Sequence, residues 1–521
     1  MQPSNSSGIR LAELMAALSI ATDLGMGQPL EFAIQSSIVA LRLGDKCGYS
    51  QEAQREIYYE ALLRYIGCNA DTDWLASIVG DEQMLRADFA QIDNGNLPAV
   101  VNTIVRTIRR ANGGGSTLNV ASAVARGLLA LPQFKPMFVG HCEVAQRLAE
   151  RLGFGPDIVY ALGQLYERWD GKGMPHGLKG EAIAPAVLVV ALAQDAVLFY
   201  RLGGLDAAVN VARERRGTAY APHLVDIFLA HAAEFCAGLD DEPSWDAVLA
   251  LEPGPRETLS EEQFNQACST LADFADLKSP YTLTHSSGVA ELAAEAARRG
   301  GLPAVDVTTI RRAALLKEIG RTGITSAIWE KTQALTEREW ERVRLHTYYA
   351  ERVLAHPAAL ARLGALASLH HERLDGSGYH RGLPAASQSL AARILVAADV
   401  YHAMREARPY RPARTAAEAE KELQQQVRAG KLDGDAVKNV LAAAGHNVRA
   451  ARQAMVAGLT EREIEVLRLL ARGQTLKQIA AQLVIADKTV DSHIQHIYTK
   501  AGVSTRAGAT LFAMENHLLT E

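Results

Sequence analysis

The sequence predicts an all-α fold, with two tandem helical domains followed by a four-helix C-terminal domain. Long stretches rich in Ala, Leu, Glu and Arg place apolar residues at helical spacing, as in residues 289–299, whereas alternating β-branched residues are scarce. A set of motifs occurs twice in the same order along the chain. The last sixty or so residues form short amphipathic segments separated by tight turns.

Composition and charge narrow the function classes. With 521 residues, 48% of them hydrophobic and 22% charged, the chain is typical of a soluble protein of several domains. The 54 Lys+Arg and 59 Asp+Glu residues give a net charge of −5, so any DNA contact must come from a local surface. The longest uncharged apolar run, residues 182–193, contains Pro185 and is shorter than the ~20 residues of a membrane span.

The chain ends and the cysteines predict a cytoplasmic protein. The first ten residues lack the basic flank and apolar core of a signal peptide. The five cysteines are odd in number and never spaced CxxC, which argues against a disulfide framework and a cysteine zinc site. We therefore expect a cytoplasmic location and no membrane partner.

The internal repeat consists of four matches. The shared ERxDGxG begins at Glu167 and again at Glu372, 205 residues later, and His141 and His346 have the same offset. Two generic alanine- and leucine-rich helices would not share that motif by chance.

The two outer matches complete the repeat. Asp195 matches Asp399 at an offset of 204, and Arg64-Tyr65 matches Lys317-Glu318 at an offset of 253. The first copy therefore carries an insertion of 48 residues that includes the triglycine near residue 114.

Interruptions of the helical pattern indicate where the domains begin and end. We predict domain one over 1–240 with its insertion at about 69–140, a linker over 241–260, domain two over 261–445, a linker over 446–457 and a C-terminal domain over 458–521.

The second copy contains a histidine and carboxylate constellation that suits divalent metals such as iron or manganese. A metal there would activate water and hold phosphate oxygens. The stretch HHERLDGSGYHRGL, with the histidines before it and Asp399 after it, resembles the HD-GYP subclass of HD-domain phosphohydrolases, many of which cleave cyclic di-GMP. The resemblance implies a set of metal ligands: His285, Glu318, His346, His370, His371 and Asp399.

Four residues depart from this family's pattern. Lys317-Glu318 stands where the family has its His-Asp dyad, His380 replaces a proline, and Arg321 replaces a lysine. Glu318 keeps a carboxylate, but the Lys317 ammonium repels a dication unless burial strips its proton. We expect this to cripple a two-metal site. If activity survives, the resemblance implies catalytic roles for Glu318 and Arg321.

The first copy has lost more of the pattern, and it is predicted to be a scaffold, an interface or a ligand pocket. Phe32 occupies the position of the opening histidine, Arg64-Tyr65 that of the dyad, and Leu165-Tyr166 that of the paired histidines. Only His141 and Asp195 remain, which is too few for a metal site.

The C-terminal segment predicts helices over about 460–471, 476–483, 487–501 and 505–518. Thr460 and Glu463 form a capping-box pattern, and the third helix has a polar face beside the apolar residues Val490, Ile494 and Ile497. A helix, a short turn and a second helix is the geometry that enters a DNA major groove. The alternative to DNA binding is an ordinary four-helix tail whose polar face is solvated.

The full string LTxRExEVLxLLAxG…IAxxL…KTVxxHxxxIxxKxGVxxR resembles the LuxR-type helix-turn-helix over residues 459–519. Ala486 replaces the usual serine cap, which leaves Asp487 at the helix start, and Asp491 stands where a basic residue is common. Candidate DNA contacts on these helices are Lys477, Lys488, Thr489, Ser492, His493, Gln495, His496 and Lys500.

A dimer is expected to supply the DNA affinity that a single tail lacks. Residues 449–521 carry nine Lys/Arg and seven Asp/Glu, a balance of only +2. In the family the fourth helix usually dimerises, and Leu511, Phe512 and Met514 are suitable contacts.

Together these features predict a cytoplasmic, homodimeric transcriptional regulator that binds double-stranded DNA. Its degenerate HD-type domains would sense a small anionic ligand or nucleotide, hold the dimer, or both. The expected ligand pocket contains Lys317, Arg321, Asp375, Tyr379 and Arg393. The alternatives are a metal-dependent phosphohydrolase acting on a cyclic dinucleotide or another phosphoester, and a dimerisation platform without a ligand.

Overall fold

The computed structural model describes residues 6–111, 117–241, 244–445 and 456–519. The predicted all-α class is confirmed, because the two strands found within those ranges are both short. The described residues divide into one unit through Gln263 with Thr325–Ala327, and a second from Phe264 to Ile324 and from Ile328 onward. The predicted triglycine and most of the 446–457 linker lie outside the described residues.

The first unit contains the first repeat copy. Its elements are β1 (Ser6–Arg10), α1 (Leu11–Gly25), α2 (Phe32–Lys46), α3 (Gln51–Leu63), α4 (Thr72–Val79), α5 (Glu82–Ala90), α6 (Leu97–Ala111), α7 (Thr117–Leu129), α8 (Phe134–Arg151), α9 (Pro156–Leu162), α10 (Pro185–Glu214), α11 (Pro222–Cys236), α12 (Ser244–Ala250) and β2 (Thr258–Ser260). The insertion of this copy holds α4 to α7, which have a small apolar core of their own around Ile104 and Ile108.

Sequence reasoning missed the β-ribbon. β1 and β2 pair antiparallel, with Ser6 opposite Ser260 and Arg10 opposite Thr258. Both strands are too short to show the period-two alternation by which strands are recognised. With α12, β2 also gives regular structure to part of the 241–260 segment that we predicted as a linker.

One helix of this unit has the length and hydropathy of a membrane span. It is α10, and 61% of its most apolar window is buried. Gly203 and Gly204 have non-helical backbone angles and divide it. Burial of the apolar window is what a core helix shows.

The second unit begins with the second repeat copy. Its helices are α13 (Glu261–Asp276), α14 (His285–Arg299), α15 (Ala304–Leu316), α16 (Ser326–Trp329), α17 (Glu337–Val353), α18 (Ala358–Ala367), α19 (Leu390–Arg405), α20 (Ala416–Arg428) and α21 (Gly434–Ala444). Short 3₁₀ turns lie at Ile66–Asn69, Leu131–Gln133, Gly180–Ala182, Ile319–Gly323, Ala385–Ser387 and Val456–Gly458 in the two units.

The C-terminal helices are α22 (Glu461–Ala471), α23 (Leu476–Leu483), α24 (Asp487–Ala501) and α25 (Arg506–Glu515). Thr460 caps α22 through a capping box with Glu463, as the sequence predicts. The fourth helix starts one residue later and ends three residues earlier than expected. Val490, Ile494 and Ile497 are buried in one apolar core.

The repeat is visible in the backbone. In each copy a glutamate accepts hydrogen bonds from backbone N–H groups nine and eleven residues later: Glu167 from His176 and Leu178, and Glu372 from Arg381 and Leu383. The motif glutamate therefore anchors the following loop in both copies.

Close helix approach is a second shared feature. A Cβ placed at Gly67 would overlap the carbonyl oxygen of His141, and one at Gly320 would overlap that of His346. The glycine after the dyad is thus required by the packing of two backbones.

Candidate functional sites: an altered metal centre and a DNA-binding helix

The altered dyad of the second copy lies at the centre of the predicted ligand set. His285 begins α14, Glu318 follows α15, His346 is on α17, the pair His370-His371 follows α18, and Asp399 is on α19. His371 is half-buried, and the other five residues are buried. The structure thus brings all six predicted metal-binding residues together.

The Lys317 ammonium occupies one half of this cluster. Its Nζ donates to Oε1 of Glu318 at 2.6 Å and lies 2.9 Å from Oδ1 of Asp399 and 2.8 Å from Nε2 of His285. An ammonium has three N–H donors and no acceptor, and the carboxylates of Glu318 and Asp399 are the acceptors beside it. The side chain is completely buried.

Lys317 keeps its proton despite burial. Desolvation lowers its pKa, but the carboxylates of Asp399 and Glu318 outweigh that effect and hold the pKa above its ordinary value. Although burial opposes it, the ammonium in turn holds the pKa of both carboxyls well below their ordinary range. Burial therefore does not remove the charge that opposes a metal.

Sequence reasoning missed the residues that orient His285. Nδ1 of His285 donates to Oε2 of Glu406 at 2.8 Å. Glu406 also pairs with His402 at 3.2 Å and with Arg408 at 2.8 Å. Glu406 lies outside the quoted motif, so its role is apparent only once the end of α19 is placed beside the start of α14.

The other half of the cluster contains three imidazoles. Ligand nitrogens of His346, His370 and His371 all lie within 4.8 Å of one another. Nδ1 of His346 donates to the carbonyl of Val343 and Nδ1 of His370 to that of Ala367, both at 2.6 Å. Their Nε2 atoms are left bare and face each other at 3.2 Å.

The three imidazoles are neutral. Burial lowers the pKa of His346 to about 3 and lowers the pKa of His370 and His371 as well. Neutral imidazole with its other N–H held by a backbone carbonyl is the usual state of a metal-bound histidine. His346 and His370 are held in this way. Together with His371 they offer three neutral imidazoles, which suit iron, manganese or a similar ion.

The two halves of the centre therefore differ in their fit to a metal. The half made by His346, His370 and His371 fits one. The half made by His285, Glu318 and Asp399 does not, because an ion there would lie about 3 Å from a fixed ammonium. At an effective dielectric of 20, that repulsion is on the order of 10 kcal/mol.

The predicted ligand-pocket residues are only partly brought together. Arg321 is buried with its guanidinium 3.9 Å from the centre of the Trp329 ring, and its Nε has no hydrogen-bond partner among the described residues. Tyr379 packs on His371 with ring centres 4.5 Å apart. These two residues border the imidazoles.

The other three pocket residues are engaged elsewhere. Lys317 is paired with Glu318 and Asp399, and Asp375 is exposed and accepts from Ser377. Arg393 pairs with Asp433 at 3.0 Å and donates to backbone carbonyls. Their contribution to a ligand site is thus not supported by the geometry.

The corresponding site of the first copy is filled by its own side chains. Asp195 pairs with Arg215 at 2.5 Å and also accepts from Tyr220. Tyr166, in place of the second paired histidine, contacts His141 at 3.4 Å and Cys68 at 3.0 Å. Among the described residues of this unit no group of three metal-ligating side chains is found.

The C-terminal helices present the predicted polar face. His493 is half-buried, and the other predicted DNA contacts are exposed: Lys477, Lys488, Thr489, Ser492, Gln495, His496 and Lys500. Ala486 caps α24 without a side-chain hydrogen bond, and Asp487 lies in its first turn. The N-terminal amides of this helix are therefore without a side-chain cap.

Lys500 has a role inside the domain. Its Nζ donates to both carboxylate oxygens of Glu463, at 2.9 and 2.7 Å. Glu463 is the capping-box residue of α22 and its side chain is only 4% exposed. Lys500 therefore links the first helix to the third, which the sequence pattern did not reveal.

The suggested dimer contacts on α25 are not free. Leu511 and Met514 are buried within the chain, and Phe512 belongs to the apolar core of the C-terminal helices. The prediction that these three side chains form a dimer surface is thus wrong for this arrangement of the chain, because apolar side chains at helical spacing look alike whether they face a partner or a core.

Comparison with known families gives the class of each module. The HD domain family matches residues 269–436, and the family of bacterial regulatory proteins described as luxR family matches residues 457–513. The chain therefore carries an HD domain and a luxR-type DNA-binding domain, as the sequence motifs predict.

Individual relatives match different parts of the chain. A 3'3'-cGAMP-specific phosphodiesterase 3 of Vibrio cholerae is 28% identical over 406 residues, 77% of this chain and 88% of the relative. A cyclic di-GMP phosphodiesterase of Thermotoga maritima is 36% identical over 156 residues, 30% of this chain and 42% of the relative. The regulatory protein LiaR of Bacillus subtilis is 48% identical over 61 residues, 12% of this chain and 29% of the relative.

A solved structure resembles most of the chain. The crystal structure of a cyclic GMP-AMP-specific phosphodiesterase of V. cholerae matches with a TM-score of 0.57 and 25% identity, over 85% of this chain and 98% of that chain.

The ion cluster predicts a stability effect. Changing Lys317→Met leaves two buried carboxylates without their cation, so we expect the free energy of unfolding of the second unit to fall by about 3–5 kcal/mol. Urea unfolding in the presence of a chelator measures this. Lys438→Met, at an exposed position of α21, is the matched control and should change it by less than about 0.5 kcal/mol. Equal effects of the two changes would contradict the role of Lys317.

Lys500 predicts a separate effect on the C-terminal domain. Lys500→Ala leaves the buried Glu463 carboxylate without its cation, and we expect a loss of roughly 1–3 kcal/mol. Hydrogen exchange of the α22 amides in the full chain measures it. Lys488→Ala on the same helix should leave that exchange unchanged. Faster exchange in neither variant, or equally faster exchange in both, would show that the ion pair is not structural.

Proposed function

We propose that this chain is a cytoplasmic DNA-binding transcriptional regulator whose second HD domain is a ligand-binding module. The observation that carries the proposal is the exposed polar face of α24 on a luxR-type domain. We expect Lys488 of α24 and Lys477 of the preceding α23 to contact phosphate oxygens, and Gln495 and His496 to contact base edges. Because few charges are available, a homodimer on two half-sites is the form we expect to bind.

The ligand that we propose is a cyclic dinucleotide. The relatives of the HD domain are named for 3'3'-cGAMP and cyclic di-GMP. In this chain, Arg321 offers a buried cation with an unused Nε, and Tyr379 offers an aromatic ring beside the imidazoles. These groups suit phosphate and base respectively. Binding would change the population of conformations that present the DNA-binding domains.

DNA binding is tested with Lys488. Lys488→Ala removes one exposed cation, so affinity should fall for all duplexes tested and the slope of log K against log salt should decrease by about one. Fluorescence anisotropy with duplexes selected from a genomic library measures both quantities.

The matched control is Lys421→Ala, an exposed lysine on α20, which should leave affinity and slope unchanged. An unaltered salt slope in Lys488→Ala, with the fold intact, would remove α24 from the DNA interface.

A second function is favoured by the three neutral imidazoles. We infer that a single metal held by His346, His370 and His371 would make a phosphodiester hydrolase the competing activity. A bound ion of this kind supplies an activated water and charge stabilisation. In this chain, Glu318 Oε1 lies 3.7 Å from Nε2 of His370 and is the nearest carboxylate for a proton, while Arg321 lies 3.7 Å from the other oxygen of Glu318.

The two functions are separated by turnover. Full-length chain loaded with Fe²⁺ or Mn²⁺ is incubated with 3'3'-cGAMP or cyclic di-GMP, and linear products are counted. The regulator proposal expects a thermal shift with the nucleotide but no turnover. Turnover that disappears in His370→Ala and persists in the surface control His356→Ala would establish the hydrolase instead.

A further inference from the structure

We propose that the Lys317 ammonium is a permanent cation carried by the chain in place of one metal ion, so that the second HD domain takes one divalent transition metal per chain. That ion binds His346, His370 and His371. The proposal rests on the three-imidazole site named for the second proposed function and adds the role of Lys317 and the metal count. Neither DNA binding nor turnover enters its test, so it can fail or hold independently of either function.

The ammonium has the contacts of a bound ion. It lies 2.6 Å from Glu318, 2.9 Å from Asp399 and 2.8 Å from His285, and it has no solvent exposure. Its N–H groups have two carboxylate oxygens as acceptors, one from Glu318 and one from Asp399. The Lys317 ammonium, which is part of the chain, compensates the negative charge of Glu318 and Asp399, so these carboxylates require no metal for charge balance.

The imidazole half has the opposite character. Nε2 of His346 and Nε2 of His370 are 3.2 Å apart with their N–H groups turned away to carbonyls, so two lone pairs face each other. No described side chain donates a hydrogen bond to either atom. His371 adds a third nitrogen within 4.8 Å. A cation between them removes the repulsion and satisfies all three.

In the first copy, too, a cationic side chain lies where a metal ion would bind the final aspartate. Asp195, which matches Asp399, is bound by the guanidinium of Arg215 at 2.5 Å. In each copy the final aspartate of the motif is thus neutralised by a cation of the chain. The copies differ in the number of imidazoles, because the first copy has only His141 where the second has His346, His370 and His371. Only the second copy therefore keeps a position for a metal.

Metal counting tests the proposal. Full-length protein is stripped with chelator, loaded with Mn²⁺, desalted and analysed for metal. We expect about one ion per chain for the natural sequence and fewer than one in ten chains occupied for His370→Ala. Lys317→His, which removes the fixed charge and restores an imidazole, should raise the count to about two, and its Mn²⁺ electron paramagnetic resonance signal should change from that of an isolated ion to that of a coupled pair.

Two further variants complete the design. Lys438→His adds an imidazole at an exposed position and should leave one ion per chain. Lys317→Gln removes the charge without adding an imidazole. If Lys317→His does not fold, Lys317→Gln must bind a second ion, and Mn²⁺ must raise its melting temperature. Two ions in the natural chain, none in it, or an unchanged count in folded Lys317→His and Lys317→Gln would each overturn the proposal.

Discussion

The charge cluster around Lys317 constrains the chemistry of the second HD domain. A fully buried ammonium between Glu318, Asp399 and His285 joins α14, the end of α15 and α19 at one point. Removing one partner from such a cluster is costly, because an uncompensated charge remains in a poorly solvated environment. The same contacts that hold these helices together also place a buried positive charge among three of the predicted metal ligands.

The two copies share backbone features while the residues at the predicted ligand positions differ. Loop anchoring by Glu167 and Glu372 is the same in both, and Gly67 and Gly320 permit the same close helix contact. These features serve folding and do not depend on ligands. The ligand positions changed more freely, since Tyr166 and Arg215 could fill the space and balance the charge of Asp195.

Sequence patterns predicted the helical class, the repeat and the bounds of α22 to α24 because these depend on local periodicity and capping. They also predicted, through the resemblance, that the six candidate metal ligands lie together. They did not predict the contacts of Glu406 with His285, of Lys500 with Glu463, or of Arg393 with Asp433. Each contact joins residues that are distant in sequence. Lys500 and Arg393 could equally well have bound DNA or a ligand, so only the three-dimensional structure shows which partner each has.

The loop motif beginning at Glu167 has a consequence for the census of second-messenger enzymes in genomes. Its glutamate and glycines are retained in a copy whose catalytic positions hold tyrosine and arginine, because the loop needs them for its own backbone. Occurrence of this motif therefore records ancestry and architecture. An inventory of hydrolytic capacity is better based on the dyad and on the charge that stands there.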